Sequence, residues 1–149
     1  MKIDTNQVKE HIKDTLMETL DIFFIETEDP NTLEATMHVS QYHTQTMGIL
    51  HGGATITLAE SVAGVGSNVL CSSDERCFGM QISASHISSA ALGDTVRAIG
   101  TIQHKGRTTH VWNVDVISET TGRLISTIRI TNAVTKKVIY TKKKVKQNI

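Results

Sequence analysis

A chain of 149 residues with 39% hydrophobic and 20% charged side chains suits one domain over residues 1–149 and is short for two. Fifteen basic and fifteen acidic residues cancel, which excludes a chain-wide electrostatic drive toward nucleic acid or an anionic membrane. No apolar run approaches the roughly 20 residues that span a bilayer, the opening MKIDTNQVKEHIKDTL is too charged for a signal peptide, and Cys71 and Cys77 match neither a CxxC pair nor a disulfide framework; reduced thiols in a cytoplasmic protein are expected.

Asp4 is placed to cap an N-terminal helix over residues 1–20, whose Val8, Ile12, Leu16 and Leu20 fall on one stripe. DIFFIETED then reads as a strand ended at EDPN, where the only proline, Pro30, sits in a turn. TLEATMHVS alternates Leu33, Ala35, Met37 and Val39 with polar neighbours, a half-buried strand that completes a hairpin. After the polar loop QYHTQTMG, a segment of about 19 residues rich in Ala, Val, Leu and small polar side chains predicts a helix buried on most sides. Four β-branched runs follow from Cys77: CFGMQISASHISSA, DTVRAIGTIQHKG, RTTHVWNVDVISE and RLISTIRITNAV. Turn signals at Leu92-Gly93-Asp94, Lys105-Gly106 and Thr120-Thr121-Gly122 separate them. Short connections make these strands antiparallel neighbours, so the expected class is α+β, an antiparallel sheet of about six strands covering one apolar helix. Residues 135–149 hold six lysines and no acid and are expected to form a solvated tail.

Glu60 stands out as the sole charged side chain between Met47 and Leu70. A carboxylate in an apolar helix loses hydration unless it is paired, faces a cavity or lies on a polar edge, and no basic residue lies within a turn or two of it. His51-Gly52-Gly53 opens the same helix, where free N–H groups and the positive end of the helix dipole would stabilise an oxyanion and glycine permits close approach. The plain alternative is an ordinary glycine-rich helix start. Gly52 and Glu60, eight residues apart, are separated by about 12 Å at 1.5 Å per residue, too far to touch one carbonyl carbon. If both act on one group, helices from two subunits must lie side by side across a two-fold axis, which requires a homodimer with two equivalent sites.

GILHGGATITLAES, with Gln45 before it, Glu60 nine residues after the histidine, and His86 in SASHISSA, resembles the hotdog-fold acyl-CoA thioesterases of the phenylacetate-degradation (PaaI) type, which include hydrolases of aromatic acyl-CoAs such as 1,4-dihydroxy-2-naphthoyl-CoA. The resemblance runs from about Leu33 to Val134 and takes in HKGRTTHVW and STIRITNAV. It implies a sheet wrapped round the central helix and hydrolysis of an aromatic or medium-chain acyl-CoA to free acid and CoA. It also implies Glu60 as general base on water or as nucleophile, and the Gly52 N–H as polariser of the thioester carbonyl. Gln45 and His51 would orient the reacting groups, and His86 would be a further polar wall. Where the family often has a hydroxyl four residues after the glutamate, this chain has Gly64, so that contact is either missing or supplied by Ser61 or Ser67. Gly64 and Gly66 would open room for a broad aryl or branched acyl group, and Gly53 would let substrate approach the helix start. Lys105 and Arg107 flank Gly106 in a turn suited to CoA phosphates, with Ser88 and Ser89 as added hydroxyls; a charged hairpin turn is the plain alternative. The resemblance further implies a dimer of dimers and no cofactor, since CoA belongs to the substrate.

No GxSxG elbow occurs. His43, His51, His86, His104 and His110 lack tight ligand spacing, so no metal site is expected. Gly64-Val65-Gly66 sits within a helix rather than after a strand, which argues against a dinucleotide site. Hotdog hydratases, with a histidine–acid pair, fit the HGG and Glu60 spacing less well. A non-catalytic acyl-CoA-binding module and an acyl-carrier-protein thioesterase stand as alternatives.

Overall fold

Asp4 starts the first helix. In the computed structural model, which describes residues 1–138, its carboxylate accepts the N–H groups of Asn6 and Gln7, both at 3.0 Å, and caps α1 (Thr5–Ile12). The helix expected over residues 1–20 does not run through. Lys13 turns extended, and Asp14 takes a φ of 59°, a left-handed conformation that aspartate tolerates, while its N–H donates to Glu18. The chain restarts as the short α2 (Leu16–Thr19), leaving Leu16 exposed instead of on a buried stripe.

β1 (Ile22–Ile25) and β2 (Thr32–His38) form the expected hairpin, its turn held by the Asn31 N–H donating to the Asp29 carboxylate. Leu33, Ala35, Met37 and Val39 are all fully buried, as their alternation predicts. β3 (Glu75–His86), β4 (Thr95–Lys105), β5 (Thr109–Ser118) and β6 (Leu124–Lys136) complete one antiparallel sheet in the order β1-β2-β4-β5-β6-β3. The four later strands are therefore not all sequential neighbours: β4 pairs with β2, and β3 lies on the far edge beside β6. Reciprocal bonds decide this placement. The Val39 N–H donates to the Asp94 carbonyl and the Gly93 N–H to the Val39 carbonyl, which docks the start of β4 beside the end of β2. Gly93, at a φ of 88°, makes the turn that glycine accommodates.

α3 (Gly52–Leu70) lies across one face of this sheet, touching five of its strands. It is buried along one stripe, not on most sides: Thr55, Leu58, Ala59, Val62, Ala63, Gly66 and Ser67 recur at steps of three and four. Burying each large apolar side chain here contributes roughly 1.5–3 kcal/mol. Gly66, on the buried side of α3, does not open room for an acyl group: a Cβ there would lie 2.5 Å from the Trp112 ring, so this glycine lets the helix approach the sheet. The opposite face leaves Gly53, Glu60, Asn68 and Val69 exposed. The edge strand β3 likewise exposes Phe78 and Met80 and carries a bulge between Gly79 and Gln81.

Most of the expected lysine-rich tail, residues 139–149, lies outside the described residues; Lys136 ends β6 and pairs with Asp74 at 2.7 Å. No helix among the described residues is long and apolar enough to cross a membrane.

Candidate active site

His51 is the N-cap of α3. Its ring Nδ1 accepts the Gly53 N–H at 2.8 Å, which leaves Nε2 for other partners. The loop before it is held by His43, buried, whose Nδ1 accepts the Ser40 N–H and whose Nε2 bonds the Leu20 carbonyl at 2.9 Å. The His43 carbonyl in turn accepts the His51 N–H at 2.8 Å. His43 thus positions the helix start, a role its sequence context did not signal.

Gly52 is the first residue of α3, and a Cβ there would lie 2.6 Å from Nε2 of His86. His86 is fixed from below by Ser126, 2.7 Å from its Nδ1. The structure therefore brings His51, Gly52 and His86 together at the positive end of the helix, where N–H groups have no intrahelical acceptor. Gln45 lies in the preceding loop. Its Oε1 accepts the Met47 N–H at 2.6 Å, so its two amide hydrogens stay available as donors.

Two turns along, Glu60 projects from the open edge of α3, so the helix avoids burying its carboxylate. It has no ion-pair partner among the described residues. Its Oε1 fills the space beside the β3 bulge: a Cβ on Gly79 would lie 2.6 Å from it. The buried Asn132 Oδ1, which has no hydrogen-bond partner, is 3.8 Å from the same point. Glu60, Ser61, Gly64, Val65, Phe78 and Gly79 line an open groove of about 840 Å³ against α1. A smaller cavity of about 380 Å³ between α1 and β1 holds none of the predicted residues.

Within one chain the helix rise keeps Glu60 about 12 Å from Gly52. Ser61, half-buried, donates to the Thr57 carbonyl at 2.7 Å and stays at the groove, as does Gly64. Ser67 does not: it is fully buried and its Oγ accepts from Trp112 Nε1 and Asn132 Nδ2, both at 2.8 Å, so it anchors the core and is not a substrate contact. Ser88 donates to the Leu124 carbonyl at 2.6 Å, and Ser89 is exposed. Lys105 and Arg107 are exposed on the β4–β5 turn, closed by the Gly106 N–H donating to the Thr109 carbonyl. Lys105 pairs in register with His110, His110 with Asn132 and Asn132 with Gly79, which sets the turn about 14 Å from the floor under Glu60.

The scatter of histidines along the chain does not keep His110 from the cysteines. Cys71, Cys77 and His110 form one cluster, with Cys77 and His110 buried. Burial, reinforced by the Cys71 neighbour, pushes the Cys77 thiol up to about 12. Burial and then Lys105 hold His110 below the usual imidazole range.

The sequence profile of the thioesterase superfamily matches residues 47–125, the span that carries the HGG turn, Glu60 and His86. The chain belongs to the thioesterase superfamily. As a member of this superfamily it is a thioester hydrolase, and its fold is the hotdog arrangement of the related structures. It is 38% identical over 115 residues to the 1,4-dihydroxy-2-naphthoyl-CoA hydrolase of Escherichia coli, covering 77% of this chain and 82% of that one. A thioesterase mutant from Pseudomonas aeruginosa superposes with a TM-score of 0.86 at 31% identity, covering 92% of this chain and 97% of that chain. A Staphylococcus aureus thioesterase has been solved with a glutamate, and separately with a glutamine, changed to alanine. These two structures give TM-scores of 0.77 and 0.76 at 33% identity, over 82% of this chain and 99% and 98% of theirs. The two altered positions are fifteen residues apart, the interval that separates Gln45 from Glu60.

Proposed function

We propose that this thioesterase hydrolyses an aromatic or medium-chain acyl-CoA to the free acid and CoA, at a site shared between two copies of the chain. The observation that carries the reading is the position of Glu60: a carboxylate without an ion-pair partner among the described residues, on the open edge of α3, seated over Gly79. Glu60 acts either as the base that takes a proton from water or as the nucleophile that forms a transient anhydride. The thioester carbonyl oxygen is held by the Gly52 N–H of the partner, where the helix dipole favours the charge that develops on it. His51 and the free amide hydrogens of Gln45 orient carbonyl and water, and His86 walls the same end.

The pairing is supported by the open face of α3 and by the exposed edge strand β3. An unpaired edge of 12 residues with Phe78 and Met80 in the open is a template for a second strand. Two-fold pairing there continues the sheet and sets the two copies of α3 antiparallel, Gly52 facing Glu60. Lys105 and Arg107, with Ser88 and Ser89, supply charge and hydroxyls for CoA phosphates. The hydrolysis uses no cofactor beyond the CoA of the substrate, and two such dimers associate into a tetramer.

Thiol release from benzoyl-CoA and from a medium-chain acyl-CoA tests this. Glu60→Ala and Glu60→Gln are expected to lower kcat by about 10²- to 10⁴-fold. Turnover unchanged in both variants, or substrate binding by the unaltered chain with no thiol released, overturns it.

A further inference from the structure

At the far end of α3 the chain turns back into β3 within a few residues, and the turn returns Cys77 to Cys71. Their Sγ atoms are 3.0 Å apart. From β5, His110 directs Nδ1 at Cys77 Sγ over 3.7 Å, and the three donor atoms all lie within 4.8 Å of one another. None of these side chains has a part in the hydrolysis described above. A tetrahedral Zn²⁺ with Zn–S near 2.3 Å and Zn–N near 2.0–2.1 Å needs donors about 3.5–3.8 Å apart. The Cys77–His110 distance already meets this; the two sulfurs need to separate by less than about 1 Å, and Cys71 and His110, within 4.8 Å, need to close by no more than about 1.3 Å.

We propose that Cys71, Cys77 and His110 bind a soft tetrahedral divalent cation of the Zn²⁺ class, with the fourth position open on the half-exposed Cys71 side. Two thiolates and a neutral imidazole match the ligand preference of such an ion, and two thiolates balance its charge. Loading releases two protons, one from each thiol, as Zn–S bonds replace S–H bonds. The backbone around the ligands is already fixed. The Asn68 side chain donates to the Cys77 carbonyl at 3.2 Å and accepts the Cys77 N–H at 3.0 Å, and the Cys71 N–H caps α3 through the Ser67 and Asn68 carbonyls. A bound ion would tie the end of α3 to β3 and β5. The same two sulfurs can alternatively form a disulfide, which requires an external oxidant to accept two electrons. That product gives no role to His110, whose buried imidazole faces Cys77; the ion uses all three groups.

The test uses the full chain, stripped with a chelator under a phosphine reductant and titrated with Co²⁺ alone. One equivalent per chain is expected, with thiolate-to-cobalt charge-transfer absorption and tetrahedral d–d bands that Zn²⁺ abolishes. Zn²⁺ should also protect both cysteines of the unaltered chain from alkylation. Cys71→Ser changes a half-exposed position, and its fold is checked by circular dichroism. It should weaken Co²⁺ binding by more than the roughly 10- to 100-fold that loss of an outer hydrogen-bond partner costs. No charge-transfer band, no protection from alkylation, or a Co²⁺ affinity unchanged by Cys71→Ser overturns the proposal. So does an intact mass that has lost two hydrogens when metal is supplied without reductant. These readouts are of metal binding, so their failure leaves the hydrolase reading untouched, and loss of turnover in the Glu60 variants leaves this one untouched.

Discussion

Glu60 sits where it does because Gly79 has no side chain. A methyl group there would meet Glu60 Oε1 at 2.6 Å, and because the carboxylate is the far end of a flexible chain, it moves while the backbone stays. Gly79→Ala is therefore expected to leave thermal stability within about 1 kcal/mol while lowering kcat about 100-fold, the cost of misplacing a reacting group by about an ångström. Melting curves and thiol-release kinetics on the same preparation check this; unaltered kcat would show that the seat on Gly79 is unnecessary. The open placement of Glu60 was legible in the sequence because a lone acid among apolar residues has few ways to be tolerated. The role of Ser67 was not. Its partners Trp112 and Asn132 come from strands far along the chain, and nothing within α3 distinguishes a hydroxyl that receives their hydrogens from one that faces substrate. Asn132 and Gly79 were missed for the same reason, since their meeting under Glu60 exists only through the β3–β6 register.

Among the elements, the single buried stripe of α3, at steps of three and four, emerges only against the sheet, while β2 was readable from its strict alternation and α3 itself from a long run of small and apolar residues. The break at Asp14 was not, because it depends on a Glu18 carboxylate capping a backbone N–H from the next helix. The order of strands depends on the link into β4, which a buried acid secures. Asp94 accepts from the hydroxyls of Ser118 and Thr120 and from the N–H groups of Thr95 and Thr120. Burial raises this carboxyl, but those four donors outweigh it and hold it below the usual aspartate range. A lowered folded value means that the stabilisation is fully present above the unfolded value near 3.9 and is lost as pH falls through the folded one. Asp94→Asn should cost about 1–3 kcal/mol near neutral pH, and the gap in melting temperature between it and the unaltered chain should narrow below about pH 4. A gap that stays constant down to pH 2.5 would remove Asp94 from this role.

For the whole molecule, the proposed pairing has a strict consequence. Glu60→Ala disables the acid of one chain, and Gly52→Pro removes the N–H of the other half-site, its ring also displacing the His86 imidazole beside that N–H. Proline is at ease in the first position of a helix, and His51 before it already has the extended backbone, φ −70° and ψ 132°, that a following proline favours. Each variant alone should be nearly inactive. Unfolded and refolded together in equal amounts, they should recover about one quarter of full activity, because half of the dimers are mixed and each mixed dimer has one intact site. Because the two groups of one chain are too far apart to serve one carbonyl, a mixture as inactive as its components would overturn the shared site. β3 carries the glycine under the acid and also the free edge through which two copies would join. A solitary chain would then be silent toward thioesters, and the catalyst would come into being only at encounter: on dilution below the dimer dissociation constant, rate per milligram should collapse rather than hold steady.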